Sequence, residues 1–223
     1  MTFNLGDLSP YTSLLLTSLW VSVYISVLAM AVGGAFGVAL YRGKVAEVRI
    51  VRIISSAYVE VFRNTPLLVQ LYLIYFGLPE LGVNLDPIWA GIVALTLNNA
   101  AYTAEIYRAG FESVPHGLVE AGQALGMQGR QVFRYIVFMP ATRNVFPALT
   151  NQFILLFLAS SIASIIGLPE LMNSILNINS QTYRTFEILA VGGLLYFSVS
   201  GILALGSKLV EMRLFKWAVN SNA

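Results

Sequence analysis

The charged side chains that could do chemistry in this sequence stand within or beside long apolar stretches. Glu60 and Arg63 are three residues apart, which makes them neighbours on one helical face. Glu105 and Arg108 share this spacing, and we expect them to form a salt bridge where a helix leaves the membrane. Pro66 would interrupt a helix just after the first pair. A charged, kinked helix suits a moving gate, but mutual pairing of Glu60 with Arg63 explains these residues as well.

A second set of polar residues stands in two apolar stretches further along the chain. A buried amide must find a partner or water, whereas a serine hydroxyl can bond back to a carbonyl of its own helix. We therefore expect Asn98, Gln152 and Ser160 to lie nearest to any path for a polar solute. The residues predicted to line such a path are Asn98, Asn99, Tyr102, Gln152, Ser160, Ser161 and Ser164.

No pattern for catalysis, metal binding or nucleotide binding accompanies these residues. The sequence has no cysteine and a single histidine, His116, which excludes a disulfide framework, a thiolate metal site and a histidine cluster. It has no G-x-x-x-x-G-K-[ST] loop to hold ATP phosphates. A net charge of +2 argues against a nucleic-acid surface. A membrane-embedded enzyme would need clustered Asp, His or Cys, so we predict no catalytic residue and no metal site.

The composition indicates a protein embedded in lipid. The chain has 223 residues, 57% of them hydrophobic and 11% charged, and its mean hydropathy is +0.73. Soluble domains carry roughly a quarter charged residues. The length suits one domain over residues 1–223. The first ten residues have no basic region and no small-residue cleavage site, so we predict no removable signal peptide.

Five apolar stretches are long enough to cross a bilayer, which takes roughly 20 helical residues. We therefore predict an all-α membrane protein with five transmembrane helices. Gly33, Gly34 and Gly37 fall in the first, where we expect them to allow close helix packing. The predicted spans cover residues 14–40, 53–78, 87–104, 144–166 and 188–209.

The charges between these spans orient them, because cytoplasmic loops collect Lys and Arg. We therefore expect the N-terminus outside and the C-terminus in the cytoplasm. The basic residues of one side are Arg42, Lys44, Arg49, Arg52, Arg108, Arg130, Arg134, Arg143, Lys208, Arg213 and Lys216. The other side carries Asp7, Glu80, Asp86, Glu170 and Glu187, with Arg184 as its one basic residue. Its long polar stretch, residues 167–187, suits a short interfacial segment, a dock for an outer partner, or an ordinary polar loop.

The predicted cytoplasmic loop, residues 108–143, has the pattern of two short helices joined at a glycine. Residues 119–125 are good helix formers, Gly126 is a helix stop, and residues 131–138 form the second piece. Small and apolar side chains on the first helix suit docking into a groove of a partner. The small residues are Ala121, Gly122 and Ala124, and the apolar residues are Leu118, Val119 and Leu125.

This loop resembles the EAA loop of binding-protein-dependent ABC importer permeases, whose pattern is E-A-A, three residues, G, nine residues, I-x-L-P. Here Glu120-Ala121-Gly122 is followed at the same spacing by Gly126 and Ile136. Pro140 falls one residue late, so either the next helix begins later or the chain bulges. The resemblance implies a helix that couples the permease to a cytoplasmic ATPase. The residues it assigns to this coupling are Leu118, Val119, Glu120, Ala121, Gly122, Ala124, Leu125 and Gly126.

Four further segments resemble the polar amino acid permeases, which include glutamine, histidine and arginine uptake systems. They are residues 63–71, 97–110, 151–156 and 167–171. The resemblance implies a type I importer in the bacterial inner membrane. Its partners would be a second permease subunit, an ATPase dimer that holds ATP and Mg²⁺, and an extracytoplasmic solute-binding protein. No cofactor is expected in this chain.

One departure from that family bears on the solute. Where the family often has Lys-Asp, this chain has Leu158 and Ala159, so it lacks an acidic group to hold a charged solute. Either a different partner subunit supplies the charge, or selectivity lies in the solute-binding protein.

The predicted function is import of polar amino acids. The alternative is a secondary transporter or channel subunit, but that reading would require repeats or coupling carboxylates, and Glu60 is the sole candidate.

Overall fold

The computed structural model describes residues 9–214, which form helices joined by short turns and contain no β-strand. The prediction of an all-α fold is confirmed. The α-helices of these residues, α1 to α9, are Thr12–Lys44, Arg49–Asn64, Leu67–Tyr72, Pro87–Glu112, His116–Ala124, Gly129–Gln131, Met139–Ala159, Leu171–Thr182 and Thr185–Leu214. Asp7, Lys216 and most of the segment considered for a signal peptide lie outside the described residues.

Wider and tighter helical turns extend two of these helices. A π-helical turn, Leu73–Gly77, and a 3₁₀ turn, Leu78–Leu81, continue α3. A second π-helical turn, Val132–Phe138, joins α6 to α7, and a 3₁₀ turn, Ser160–Ile166, extends α7. The chain from Gly129 to Ile166 is therefore one uninterrupted helical rod.

Three helical stretches within residues 9–214 are long and apolar enough to cross a membrane: Ser9–Lys44, Gly129–Ile166 and Thr185–Leu214. They contain the predicted first, fourth and fifth spans. The predicted second span is divided between α2 and α3, because Thr65 and Pro66 leave the helical conformation. The predicted third span lies in α4, where adjacent asparagines lower the hydropathy. The count of five spans stays a prediction.

The longest helix, α1, packs most extensively against α4, and two glycines make this possible. A Cβ atom on Gly37 would lie 2.1 Å from the hydroxyl oxygen of Thr103, and one on Gly33 would lie 2.8 Å from the Thr96 carbonyl oxygen. The Thr103 hydroxyl also donates a hydrogen bond to the Gly33 carbonyl at 3.3 Å. Small residues at four-residue spacing thus bring the two backbones together, as expected for these glycines.

The main apolar core lies where α1, α3, α4 and α7 meet. Ile25, Leu71, Leu95 and Leu156 contribute one side chain from each of these helices, and Leu168 closes the core from the following turn. All five are buried. The core therefore joins both halves of the chain, and it holds α4 at the centre of the bundle.

The predicted outer stretch contains a helix, α8, rather than an irregular polar loop. Leu171, Ile175 and Ile178 line its buried face and pack with Leu15 of α1 and Ile188 of α9. Several of its polar side chains lie on the opposite, more exposed face. The period of apolar residues along the segment follows a helix, so α8 buries one side and leaves the other for water or a partner.

A buried carboxylate fastens α8 to the bundle. Glu170 accepts hydrogen bonds from the backbone N–H groups of Met172 and Asn173, at 2.9 and 2.7 Å, and thereby caps the start of the helix. The hydroxyls of Ser22 and Tyr196 also donate to it, at 3.2 and 2.9 Å. Burial raises the pKa of the Glu170 carboxyl above its usual range, and these four hydrogen bonds oppose that effect. One side chain thus connects α1, α8 and α9.

The close contact between α1 and α4 can be tested by adding a single methyl group at Gly37. Gly37→Ala should destabilise the protein by about 1–3 kcal/mol, because the new methyl group overlaps Thr103 and the α4 backbone. The measurement is thermal unfolding of the purified protein in detergent, followed by circular dichroism.

Gly34 provides the matched control in the same helix. A Cβ atom there would meet only the Tyr107 hydroxyl, at an ordinary 3.7 Å. Gly34→Ala should therefore be neutral or slightly stabilising, since alanine is the better helix former. Equal stability of the Gly37 and Gly34 variants would contradict the tight contact between α1 and α4.

Candidate functional site

The helix α5 ends where the sequence predicts, at Gly126. Gly126 has a φ of +78°, in the left-handed region that favours glycine. Its N–H donates to the Gln123 carbonyl at 2.9 Å, and the Met127 N–H donates to the Gly122 carbonyl at 3.1 Å. These two bonds form a Schellman motif, which satisfies the last carbonyls of a helix. The helix begins at His116, three residues before the predicted start.

The exposed side of α5 carries the side chains predicted to meet a partner. Leu118 is 50% exposed and Leu125 is 83% exposed, so two large apolar side chains lie on the surface of this short segment. Glu120 is also exposed and makes no ion pair with another residue of 9–214. Ala121 and Ala124 share this exposed surface, while Val119 is half-buried.

Gly122 lies on the opposite side of α5, against the chain's own π-helical turn. A Cβ atom on Gly122 would be 2.3 Å from the Cδ1 atom of Ile136 and 3.5 Å from both Met127 and Val132. The expectation that its small size serves a partner surface is therefore corrected: the glycine makes room for Ile136.

The late proline is accommodated by the π-helical turn over residues 132–138. A π turn bonds residue i to i+5 and so holds one residue more than the α-helical pattern. Pro140 directly follows this turn, at the second residue of α7, and the wider turn brings the missing N–H of the proline within the continuous helix. Of the two possibilities left open by the sequence, the bulge is the one observed.

Glu105 is the centre of a charge cluster that joins α1, α2 and α4. Arg108 donates to it through Nη2 at 2.8 Å and Nε at 2.9 Å, which confirms that predicted pair. Lys44 also forms an ion pair with Glu105, and Arg63 Nη1 lies 3.6 Å from its Oε2 atom. The far side of Arg108 pairs with Glu112. Neither Lys44 nor Arg63 was predicted as a partner of Glu105.

The predicted pair of Glu60 with Arg63 is wrong. Glu60 is exposed and accepts a hydrogen bond from the Asn64 side chain at 3.0 Å. Arg63 instead extends toward Glu105, and its guanidinium carbon lies 5.7 Å from the centre of the Tyr102 ring. A half-buried carboxylate attracts the guanidinium more strongly than an exposed one, because water screens it less.

Four side-chain amides form two hydrogen-bonded pairs within the bundle. Gln152 of α7 donates to the Asn99 oxygen at 3.1 Å, and Asn99 donates weakly to the Ala29 carbonyl of α1 at 3.4 Å. Asn98 donates to the Gln70 oxygen of α3 at 3.0 Å. Each pair connects α4 to a different neighbour, so the adjacent asparagines of α4 point in different directions. Asn99 is fully buried and thus has a structural role.

Gln70, which the sequence does not single out as a site residue, stabilises the break between α2 and α3 through its side-chain amide. Its amide nitrogen donates to the Phe62 carbonyl at 2.9 Å and to the Thr65 carbonyl at 3.1 Å. These are groups that the helix break at Pro66 leaves without a regular partner. The available signal was a lone amide in an otherwise apolar run, directly after a proline.

Two open cavities meet at Arg63, Tyr102 and Gln152. The first, of about 540 Å³, extends from these residues past Asn98 to Ala159 on α7. The second, of about 500 Å³, extends from the same three residues toward the Glu105 cluster. Together they form a polar surface between α2, α4 and α7, whose size suits a small solute. Asn98, Tyr102 and Gln152 of the predicted path line this surface.

The three predicted serines do not line either cavity. Their hydroxyls donate to the carbonyls of Phe157, Leu158 and Ser161, in each case at 2.7 Å. The expectation for Ser160, Ser161 and Ser164 is therefore corrected. The reason is the 3₁₀ turn, because each serine there reaches the carbonyl three residues back and needs no other partner.

Ala159 lines the first cavity, at the position where the resemblance noted from the sequence would lead one to expect Asp. Leu158 is exposed and is not part of the lining. Arg63 is the charged residue in the lining of this cavity. Within residues 9–214, no group of three His, Cys, Asp or Glu side chains is placed to hold a metal ion.

Comparisons with known proteins agree with this architecture. The family model described as binding-protein-dependent transport system inner membrane component matches residues 33–216. An arginine transport system permease protein of Bacillus subtilis is 35% identical over 215 residues, covering 96% of this chain and 98% of that protein. An octopine transport system permease protein of Rhizobium radiobacter is 37% identical over 212 residues, covering 90% of this chain and 86% of that protein.

Solved structures extend the likeness to the fold. The crystal structure of an amino acid ABC transporter with histidines has a chain with a TM-score of 0.90 and 37% identity, covering 96% of this chain and all of that one. An inward-facing structure of the MetNI methionine ABC transporter has a TM-score of 0.74 at 21% identity, which shows the fold alone. The fold is that of a type I ABC importer permease, and the chain belongs to the family of inner membrane components of binding-protein-dependent transport systems.

Proposed function

We propose that this permease imports polar amino acids and that α5 couples it to a separate cytoplasmic ATPase. The observation that carries the coupling role is the exposure of Leu118 and Leu125 on a helix that Gly126 ends and Ile136 supports from behind. A helix with apolar anchors on one side and internal packing on the other suits insertion into a groove. Glu120 would meet a cationic group of the ATPase at the same surface.

In this mechanism the energy enters through the partner, which holds ATP and Mg²⁺. Two ATPase subunits close on ATP and displace α5 of each permease subunit, and the rod Gly129–Ile166 carries the displacement into the membrane. A second permease subunit encloses the path, since the polar cavities of this chain are open on one side. The positions of the basic residues support an outer N-terminus and a cytoplasmic C-terminus.

The polar surface around Arg63, Tyr102 and Gln152 is the proposed solute path. A solute-binding protein delivers the amino acid from outside, and the guanidinium and the amides offer partners for its carboxylate and amino groups. The assignment to amino acids rests on the relatives, whose names specify arginine, octopine and glutamine. With Ala159 in its wall, the first of the two cavities has no acidic group to hold a basic side chain.

The coupling role is tested by two variants of α5 in the complete transporter. Glu120→Arg removes the proposed anchor, and Gly126→Pro removes the positive φ that ends the helix, because proline is confined to φ near −65°. Each should lower ATP-driven uptake into proteoliposomes at least about tenfold, the effect of losing a main interface residue. ATP hydrolysis should continue without uptake.

Two further variants serve as controls for these changes. Glu47→Arg makes the same charge reversal at an exposed site between α1 and α2. Gly129→Ala adds a methyl group where nothing lies within 4 Å. Both should transport normally. If Glu120→Arg and Gly126→Pro also transported normally, α5 would not be the coupling element.

The solute path is tested by restoring an acid at Ala159. Ala159→Asp should raise uptake of arginine relative to glutamine by about tenfold, because a carboxylate in a partly enclosed cavity attracts a guanidinium. Ala159→Asn has nearly the same shape without the charge and should leave the ratio unchanged. Competitive uptake of the two labelled amino acids gives the ratio directly. An unchanged ratio in the aspartate variant would place selectivity outside this cavity.

The identity of the second subunit is tested by reconstitution. If selectivity lies in the solute-binding protein, this permease as the sole membrane subunit, with its ATPase and binding protein, should support uptake. Absence of uptake, together with its recovery when a second permease chain is added, would indicate a heterodimer. Robust uptake by the single permease would eliminate the heterodimer.

A further inference from the structure

An aromatic groove of about 490 Å³ lies apart from the two polar cavities, between the ends of α1 and α4 and the start of α7. The rings of Tyr41 and Phe111 stack with centres 5.5 Å apart and an angle of 7° between their planes. Phe111 and Phe133 continue the stack at 6.1 Å and 11°, and Phe138 follows at 6.1 Å from Phe133. A wall of stacked aromatic rings with one charged side chain is a poor site for a polar amino acid.

The groove is long as well as apolar. Its lining extends along α7 from Phe138 to Leu149, eleven residues, or about 16 Å at the helical rise of about 1.5 Å per residue. One leaflet of a bilayer has a hydrocarbon depth of about 15 Å, half of the usual core. Thr142, in the middle of the lining, donates its hydroxyl to the Phe138 carbonyl at 2.7 Å, so it offers the groove no free donor. These dimensions fit an acyl chain.

A single charged residue, Arg42, stands in the lining of this groove. It is exposed, and its guanidinium forms no ion pair or hydrogen bond with another residue of 9–214. The neighbouring cations are already engaged, since Lys44 and Arg108 both pair with Glu105. An unpaired guanidinium beside an apolar groove is complementary to a phosphate group that carries a hydrocarbon chain.

We propose that this groove binds one anionic phospholipid, with its phosphate at Arg42 and one acyl chain along the aromatic wall. Two helical stretches that bound the groove, Ser9–Lys44 and Gly129–Ile166, are apolar enough to cross a membrane, so lipid is the abundant ligand on this side of the protein. Basic pockets between transmembrane helices bind acidic lipid head groups on the cytoplasmic side. The choice of the cytoplasmic leaflet rests on the proposed orientation of the chain.

The test is native mass spectrometry of the complete transporter, purified in detergent and mixed with equal amounts of two lipids. Dioleoyl phosphatidylglycerol is anionic, and dioleoyl phosphatidylcholine has the same chains without net charge. The wild type should retain phosphatidylglycerol about fivefold over phosphatidylcholine, the effect of one basic residue near an anionic head group. Arg42→Gln should abolish this preference.

Two matched variants separate the site from general effects. Arg213→Gln removes the same charge from an exposed site at the end of α9 and should keep the fivefold preference. Val38→Trp fills the groove beside Arg42 without changing any charge, and retention of both lipids should fall. Equal retention of the two lipids by the wild type would overturn the proposal. Equal losses in the Arg42 and Arg213 variants, or occupation of the groove by a partner chain that leaves no lipid bound, would also overturn it.

The outcome is independent of the transport mechanism. Lipid retention is read as a mass, so a transporter uncoupled at α5 should retain the same lipid. A reversed orientation of the chain would change the leaflet that supplies the lipid but not the preference for the anionic head group. Failure of the lipid site and failure of the coupling proposal therefore give different results.

Discussion

A polar group removed from water must find its partners within the protein, and this constraint governs how the bundle is joined. Two carboxylates satisfy it at different points along α1. Glu105 gathers cationic side chains from α1, α2 and α4, while Glu170 gathers hydrogen-bond donors from α1, α8 and α9. These partners offset the cost of removing the carboxylates from water, a removal that is complete for Glu170 and partial for Glu105. The first helix is therefore held at two levels, and between them the glycines bring it close to α4.

The same constraint explains which residues are left to meet a solute. Asn99 and the serines of the 3₁₀ turn are satisfied inside the subunit, so they contribute to its structure. Arg63 and Tyr102 border open space, and Gln152 does so while bonding to Asn99. The family membership favours an importer over the secondary transporter or channel considered from the sequence. The structure agrees with this preference, because Glu60, the sole candidate for a coupling carboxylate, is exposed and does not lie at the centre of the bundle.

Local features of the fold were predictable from the sequence, and long-range partners were not. Gly126 ends α5 because glycine readily takes the positive φ that a helix end requires. Pro66 divides a predicted span because proline interrupts the helical hydrogen bonds. Both effects depend only on the residue itself. The spacing of Glu60 and Arg63 suggests a pair, but Arg63 instead interacts with Glu105 of α4. Glu170 was read as an outer loop charge, since nothing in its neighbours along the chain indicates Ser22 or Tyr196 as partners.

The uninterrupted rod from Gly129 to Ile166 has a mechanical consequence for the transporter. It is 38 residues long, its first part packs against α5 through Ile136, and in the coupling mechanism proposed above it would move as a single lever. At about 1.5 Å per residue the rod measures roughly 55 Å. Rotating the whole rod by about 5° about one end would therefore move its other end by about 5 Å. Pro147 removes one helical hydrogen bond near the middle of the rod, which makes this part of the rod easier to bend.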